Sequence, residues 1–298
     1  MVEIPFRRDL QFEYGKLEAL SPLIRRIVAR NPSPFTLHGT GAYVVGRGRV
    51  AVIDPGPALP EHIDALLQAL RGETIEHILV THTHLDHSPA SAAVKQATAA
   101  PTHGYGPHGA GAGPAVEEGG DRRFVPDRVL REGDTVAGPG WHLTAVHTPG
   151  HTSNHLCFAL EEERVLFSGD HVMGWSTSVI APPDGNMRDY LRSLGKLLER
   201  EDAVYWPTHG PAITDPKPFV RAFIEHRRER EAAILDRLAQ GDTEIPAMVR
   251  AIYVGLPQDL HAAAARSVLA HLIELVAEGR VATDGPPTVE ARYRLKTR

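Results

Sequence analysis

Seventeen histidines among 298 residues is a high count, and several of them cluster with carboxylates in a way that suits cation binding. The heptapeptide THTHLDH at 81–87 brings His82, His84, Asp86 and His87 onto one loop, directly after the apolar run HILV at 77–80. Strand ends commonly carry functional groups. Neutral imidazoles and a carboxylate are donors that zinc prefers. In an extended loop alternate residues point the same way, while an adjacent pair splays toward two centres. One cation cannot easily take all four, so a second is expected, with further donors from elsewhere in the chain. Three later segments offer them: PGHTSNH supplies His151, FSGDH supplies Asp170 and WPTHGP supplies His209, each after a β-rich run. A carboxylate lying between two cations can bridge them.

Two cations about 3.5–4 Å apart lower the pKa of a bridging water, which makes hydroxide available near neutral pH, and they polarise a carbonyl or phosphoryl oxygen. The nucleophile is then derived from solvent. Asp86 is the expected catalytic residue, both ligating and orienting the hydroxide. The lone Cys157 sits inside a strand pattern and reads as a plain buried thiol. Two zinc ions per chain suit these donors, as do iron and manganese. After Asp170 the segment HVMGWSTSVIAPPDGN leaves the strand end as an irregular loop. Its Trp175, Ser176 and Thr177 are the expected substrate-pocket residues, whereas His171, next to Asp170, should point away and pack.

The elements that position these residues follow from periodicity. AYVVG (42–46) and VAVID (50–54) form a hairpin across Arg47-Gly48-Arg49. A helix opens at Pro60 and stops at Gly72, and a second, Ala-rich one spans roughly 89–99. The glycine-rich stretch 103–120 reads as a mobile surface loop. Strands are expected at 142–146, 155–160, 164–168 and 203–206, with an amphipathic helix at 187–200. Strands and helices mixed in this order imply sheets sandwiched between helices. From Pro216 the pattern becomes three helices (216–239, 244–254, 258–278) and a terminal hairpin, that of a winged helix. The expected domains are therefore 1–215 and 216–298.

Hydrophobic residues make up 42 % of the chain, enough for a sizeable core, and the formal charge is −5. Disorder and disulfide scaffolds are thereby excluded. Residues 1–215 carry 19 basic against 26 acidic side chains and residues 216–298 carry 13 against 11, so no basic stripe marks a phosphate-binding face. The would-be recognition helix, 258–278, has Arg266 as its only Lys or Arg. It is expected to serve in packing, as a lid or in dimerisation. The amino terminus lacks a basic segment followed by an apolar run, and no stretch reads as a membrane span. A cytoplasmic protein with no membrane partner is expected, and a homo-oligomer is compatible with the composition.

With THTHLDH, PGHT, SGD and THG in this order, the chain resembles the metallo-β-lactamase superfamily over about residues 35–215. The resemblance implies an α/β fold, a four-layer αβ/βα sandwich, here followed by a small C-terminal winged-helix domain. It implies that His82, His84 and His151 hold a first metal, Asp86, His87 and His209 a second, and that Asp170 bridges them. Asp54, in VIDPG, matches an aspartate that supports the metal loop without ligating. NPSPFTLHGTGAYVVG, SGDHVMG and the winged-helix tail extend the similarity to β-lactamase-like hydrolases that include an endoribonuclease of animal mitochondria. Departures from sister groups narrow the chemistry. Asp170 stands where some antibiotic-cleaving relatives carry a cysteine, and His84 where di-iron redox relatives carry a carboxylate. Relatives that cleave messenger RNA ends carry a large insertion between positions matching Asp170 and His209, here only 39 apart. The implied activity is hydrolysis of an ester, thioester or lactone by a metal-bridging hydroxide. The alternatives are a single-strand-specific endoribonuclease and a nucleic-acid-binding or regulatory protein with a structural metal site. The partner is correspondingly a small molecule or single-stranded RNA.

Overall fold

A computed structural model describes residues 2–109 and 119–296. Its first sheet runs in sequence order through β1 (Glu18–Ala19), β2 (Ile24–Val28), β3 (Gly41–Arg47), β4 (Arg49–Ile53), β5 (Thr74–Leu79), β6 (Thr102–Gly104) and β7 (Arg128–Val129). The first four strands pair antiparallel and the later ones parallel, which requires crossovers. Helices α1 (Pro60–Ala69) and α2 (Ala90–Thr98) supply two of them. The second sheet has the order β12-β11-β10-β9-β8, built from β8 (Thr135–Gly138), β9 (Trp141–His147), β10 (Leu156–Leu160), β11 (Val165–Gly169) and β12 (Val204–Pro207). Its β11 and β12 are parallel and joined through α3 (Met187–Leu198).

Alternation along the strands separates the layers. Tyr43, Val45, Ala51 and Ile53 meet Leu143, Leu156, Phe158 and Phe167 in a core between the two sheets. The intervening Ala42, Val44, Val50 and Val52 pack outward with Leu66, Leu70 and Val94 of the α1/α2 layer. On the opposite side Cys157, Ala159 and Leu166 pack with Tyr190, Leu194 and Leu197 of α3 and with Phe219, Val220 and Phe223. The result is the expected αβ/βα sandwich. Removing one of the large interior rings, as in Phe158→Ala, would cost about 3–5 kcal/mol.

The carboxyl-terminal elements are α4 (Pro216–Ala239), α5 (Ile245–Ile252), α6 (His261–Ala277), β13 (Val281–Thr283) and β14 (Tyr293–Leu295). They enclose a separate core of Ile234, Leu238, Met248, Val268, Leu272, Leu275, Val281 and Tyr293. Helix α4 is shared, its first half packing on the sandwich and its second half in this smaller core. Arg188 of α3 reaches Glu274 of α6 at 2.7 Å, so α6 is docked on the sandwich as well.

Several strands go beyond the sequence reading. β2 was masked by the adjacent Arg25 and Arg26, which stand between the buried Ile24 and Ile27 and are neutralised by Glu73 and Glu18, and β1 is only two residues long. β6, β7 and β8 are too short to carry a periodic signal. Of the expected mobile loop 103–120, residues 110–118 lie outside the described ones. Its flanks are ordered by pairing: residues 102–104 form β6, and Gly120 bridges His84. The expectation that no stretch could span a membrane also needs correction. Gln258–Ala277 is long and apolar enough by length and composition, because its alanines add hydropathy, and half of it is buried inside the protein.

Candidate metal centre

Every chemistry-bearing segment leaves a strand at one rim of the sandwich. Asp54 follows β4 in a left-handed conformation (φ 47°) and its carboxylate turns back under the loop after β5. Oδ1 accepts from the Thr81 amide at 2.7 Å, and Oδ2 accepts from the hydroxyls of Thr81 (2.7 Å) and Thr208 (3.0 Å) and from His87 Nδ1 (2.9 Å). With Nδ1 committed to Asp54, His87 turns its Nε2 toward the centre. Asp54 lies outside the three donor groups that could hold an ion, which fits a supporting position.

The other imidazoles are oriented by the same device. His151 Nδ1 donates to the Val179 carbonyl at 2.7 Å, and His209 Nδ1 donates to the Gly39 carbonyl at 3.2 Å, so Nε2 of each faces inward. Gly150 is required just before His151: at φ 140° a side chain there would strike the Tyr190 backbone at about 2.3 Å. His82 Nε2 and His151 Nε2 lie 3.0 and 3.2 Å from His84 Nδ1.

Two donor sets result. His82, His84 and His151 form one, Asp86, His87 and His209 another, and a third grouping of His82, His87 and Asp170 links them. Asp170 Oδ2 lies 3.4 Å from both His87 Nε2 and His209 Nε2 and 3.9 Å from His151 Nε2. His209 Nε2 is 3.0 Å from Asp86 Oδ2. All seven side chains implied by the sequence thus converge.

Electrostatics divides the imidazoles. Burial, reinforced by neighbouring imidazoles, holds His82 and His84 well below the usual histidine range, in the neutral form that ligates. Burial would also depress His87 and His209. The carboxylates of Asp86 and Asp170 outweigh it, raising His87 well above its ordinary value and His209 to about 10. Burial pushes the two carboxylates up, but the facing imidazoles hold both well below the ordinary range. Buried carboxylates that call for positive charge, together with His87 Nε2 and Asp170 Oδ1, which have no hydrogen-bond partner among the described residues, are what a divalent-cation site needs. The donors therefore fit a pair of cations.

A small cleft opens over these groups, lined by His84, Asp86, Asp170 and His209 and walled by Pro34, Phe35, Met173, Trp175 and Val179. Ser176 and Thr177 complete the lining. Trp175 is only 6 % exposed and forms wall rather than a projecting contact. His171 points away from Asp170, as expected, and packs against Tyr190 at 4.6 Å between ring centroids. Cys157 is buried, and burial pushes its thiol up to about 12, so it is no nucleophile.

The sequence reading missed the positioning groups. His155 takes the Asp170 backbone N–H on Nε2 at 3.3 Å, stacks on His82 and is fixed by Thr148 at 2.8 Å. Thr81 and Thr208 share Asp54. A signal existed, since each threonine directly precedes a candidate ligand histidine and His155 closes PGHTSNH.

Comparison with known proteins agrees with this geometry. Residues 36–209 match the family model "Metallo-beta-lactamase superfamily" and residues 245–286 match "Beta-lactamase associated winged helix domain". A beta-lactamase-like protein 2 homolog of Caenorhabditis elegans is 33 % identical over 285 residues, covering 89 % of this chain and 88 % of that one. An atrochrysone carboxyl ACP thioesterase of Aspergillus terreus is 30 % identical over 244 residues, covering 79 % and 71 %. The crystal structure of a beta-lactamase domain protein from Burkholderia ambifaria shares the fold, with a TM-score of 0.80 at 20 % identity over 96 % of this chain and 95 % of that one. The chain belongs to the metallo-beta-lactamase superfamily and carries its hydrolase fold ahead of a beta-lactamase-associated winged-helix domain.

Proposed function

We propose that the protein is a binuclear metal-dependent hydrolase of small acyl substrates, a thioester or ester first and a lactone by the same chemistry. The observation that carries this reading is the shared Asp170 carboxylate between two donor sets at the floor of an open cavity. A structural site would be closed by its ligands. His82, His84 and His151 would hold one cation, Asp86, His87 and His209 the other, and Asp170 would touch both. Bound there, zinc, iron or manganese supplies Lewis acidity that activates water near neutral pH and polarises the substrate carbonyl.

The chain's own residues then have distinct tasks. Asp86 lines the cleft, and its carboxylate is placed to orient the attacking hydroxide. The apolar wall of Pro34, Phe35, Met173, Trp175 and Val179 receives an acyl chain and excludes bulk water. Ser176 and Thr177 offer hydroxyls beside it. Among the described residues the cleft lining contains no Lys or Arg, which favours a neutral carbonyl substrate over an RNA phosphate. The resemblance to a protein named as an acyl carrier protein thioesterase supports the same class.

The test is a panel of esters, thioesters, lactones and labelled single-stranded RNA, run on metal-quantified protein with Asp86→Asn as control. Thioester or ester turnover should disappear on chelation, return with metal, and fall about 10²–10⁴-fold in Asp86→Asn. Cleavage of RNA with no turnover of any acyl compound would overturn the reading.

A further inference from the structure

Arg227 lies on α4, outside the donor sets, and is 3 % exposed. An ion this deeply buried normally faces a carboxylate. Among the described residues no carboxylate pairs with it, and its Nε has no partner. Its Nη2 instead donates to the Ser178 carbonyl, and its guanidinium carbon stands 5.4 Å from the Tyr190 ring centroid.

What Arg227 grips is the short segment that holds two candidate ligands. The Ser178 hydroxyl donates toward the Asp170 carbonyl at 2.5 Å and the His171 carbonyl at 3.0 Å, fixing the turn that carries Asp170. The adjacent Val179 carbonyl accepts from His151 Nδ1 and so sets which nitrogen of His151 faces the centre. Tyr190, beneath the guanidinium, donates its own hydroxyl to the His171 carbonyl at 2.9 Å. Ser176, Thr177 and Val179 of the same segment line the cavity.

We propose that Arg227 is a positioning residue of the metal centre, holding the 176–180 segment so that the Val179 carbonyl orients His151 and Ser178 braces Asp170. The proposal rests on the metal-dependent reading above. It also gives the C-terminal region a hold on the chemistry, because Arg227 sits midway along the helix shared between the two cores. Loss of the grip frees two ligands while leaving every donor atom in the chain.

The experiment compares the full-length parent, Arg227→Met, Arg227→Lys and His84→Ala, each stripped of metal and reloaded with cobalt(II). Affinity is read by competition with a chelator, ligand geometry by the visible cobalt spectrum, and kcat and KM are read on the thioester. Arg227→Met should bind cobalt about 10–100-fold more weakly, as outer-shell losses do. Its cobalt bands should shift and kcat should fall while KM stays within about two-fold, with Arg227→Lys intermediate. A folded Arg227→Met with parental affinity, spectrum and kcat overturns the proposal. Where Arg227→Met does not fold, Arg227→Lys decides: a shift of the same sign supports the positioning role, and parental behaviour overturns it. If His84→Ala itself keeps parental cobalt binding and turnover, the metal-centre reading fails and this proposal with it. If His84→Ala loses both while the Arg227 variants match the parent, only the positioning role falls.

Discussion

At the rim of the sandwich, His87 and His209 stand within 3.4 Å of Asp86 and Asp170, and the carboxylates carry their pKa values up despite complete burial. In the C-terminal region His226 and His271 are also withdrawn from water, yet burial and then Arg227 drive both down to about 3. The residue type is the same and the neighbours are opposite. Imidazoles interleaved with carboxylates form a place that demands positive charge, and that demand is what a divalent cation meets. Imidazoles beside an arginine form a place that repels positive charge. Histidine count alone therefore identifies no site; the carboxylates between the histidines do.

The strongest way to break this contrast is to remove the carboxylate that both donor sets share. Asp170→Ala should lower bound zinc from about two per chain to below one and abolish acyl hydrolysis, by about 10³-fold or more. His209→Ala should retain about one, because His82, His84 and His151 stay intact. Elemental analysis of the two variants after identical loading separates the outcomes. Equal and undiminished zinc in both would show that the carboxylates do not organise the cluster.

A milder disturbance leaves the donors and removes their support. Asp54→Asn keeps the shape but replaces a carboxylate that takes hydrogen bonds from Thr81, Thr208 and His87. The amide nitrogen has no lone pair for those donors. Metal affinity should drop about 10–100-fold. Unfolding stability should fall by about 2–4 kcal/mol, since four buried donors are left with one acceptor oxygen. Chelator competition and denaturant titration read the two effects separately. An affinity within about two-fold of the parent would sink the role given to Asp54.

How much of this was legible depended on whether the information was local. THTHLDH, PGHT, SGD and THG each pair a strand end with a donor inside a few residues, so the seven donors could be named from sequence. The sandwich was legible where apolar strands alternate, and it failed at β2, where Arg25 and Arg26 break the pattern by pairing with Glu73 and Glu18. The contact between Arg227 and Ser178 spans 49 positions and runs to a backbone carbonyl, which every residue possesses. No spacing rule can find it. The membrane reading failed for a related reason: an alanine-rich buried helix and a spanning helix share one composition, and only its packing against α3 and α5 tells them apart.

The smallest expected effect lies on the other side of the contrast, in the C-terminal core. His271 on α6 is 1 % exposed, its Nε2 has no partner among the described residues, and the charged or titratable groups acting on it are Arg227, His226 and Arg230. A histidine held at about 3 in the folded chain and at about 6.5 in the unfolded one is neutral when folded and takes up a proton on unfolding. Between those values the unfolded state binds more protons, so stability rises with pH. The contribution is fully present above about pH 6.5 and is lost progressively as the pH falls toward 3. His271→Leu removes the titrating group while keeping an apolar side chain of similar size. At pH 7.5 it should change stability by no more than about 1 kcal/mol, because no hydrogen bond to Nε2 is lost. From pH 6.5 down to 4.5 the variant should lose stability less steeply than the parent, by up to about 1.4 kcal/mol per pH unit. Denaturant melts of both metal-loaded proteins across that range give the difference directly, and acid effects common to the metal rim cancel in it. Parallel curves from pH 7.5 to 4.5 would mean that His271 is as readily protonated in the fold as outside it, and that the two histidine environments differ less than their neighbours imply.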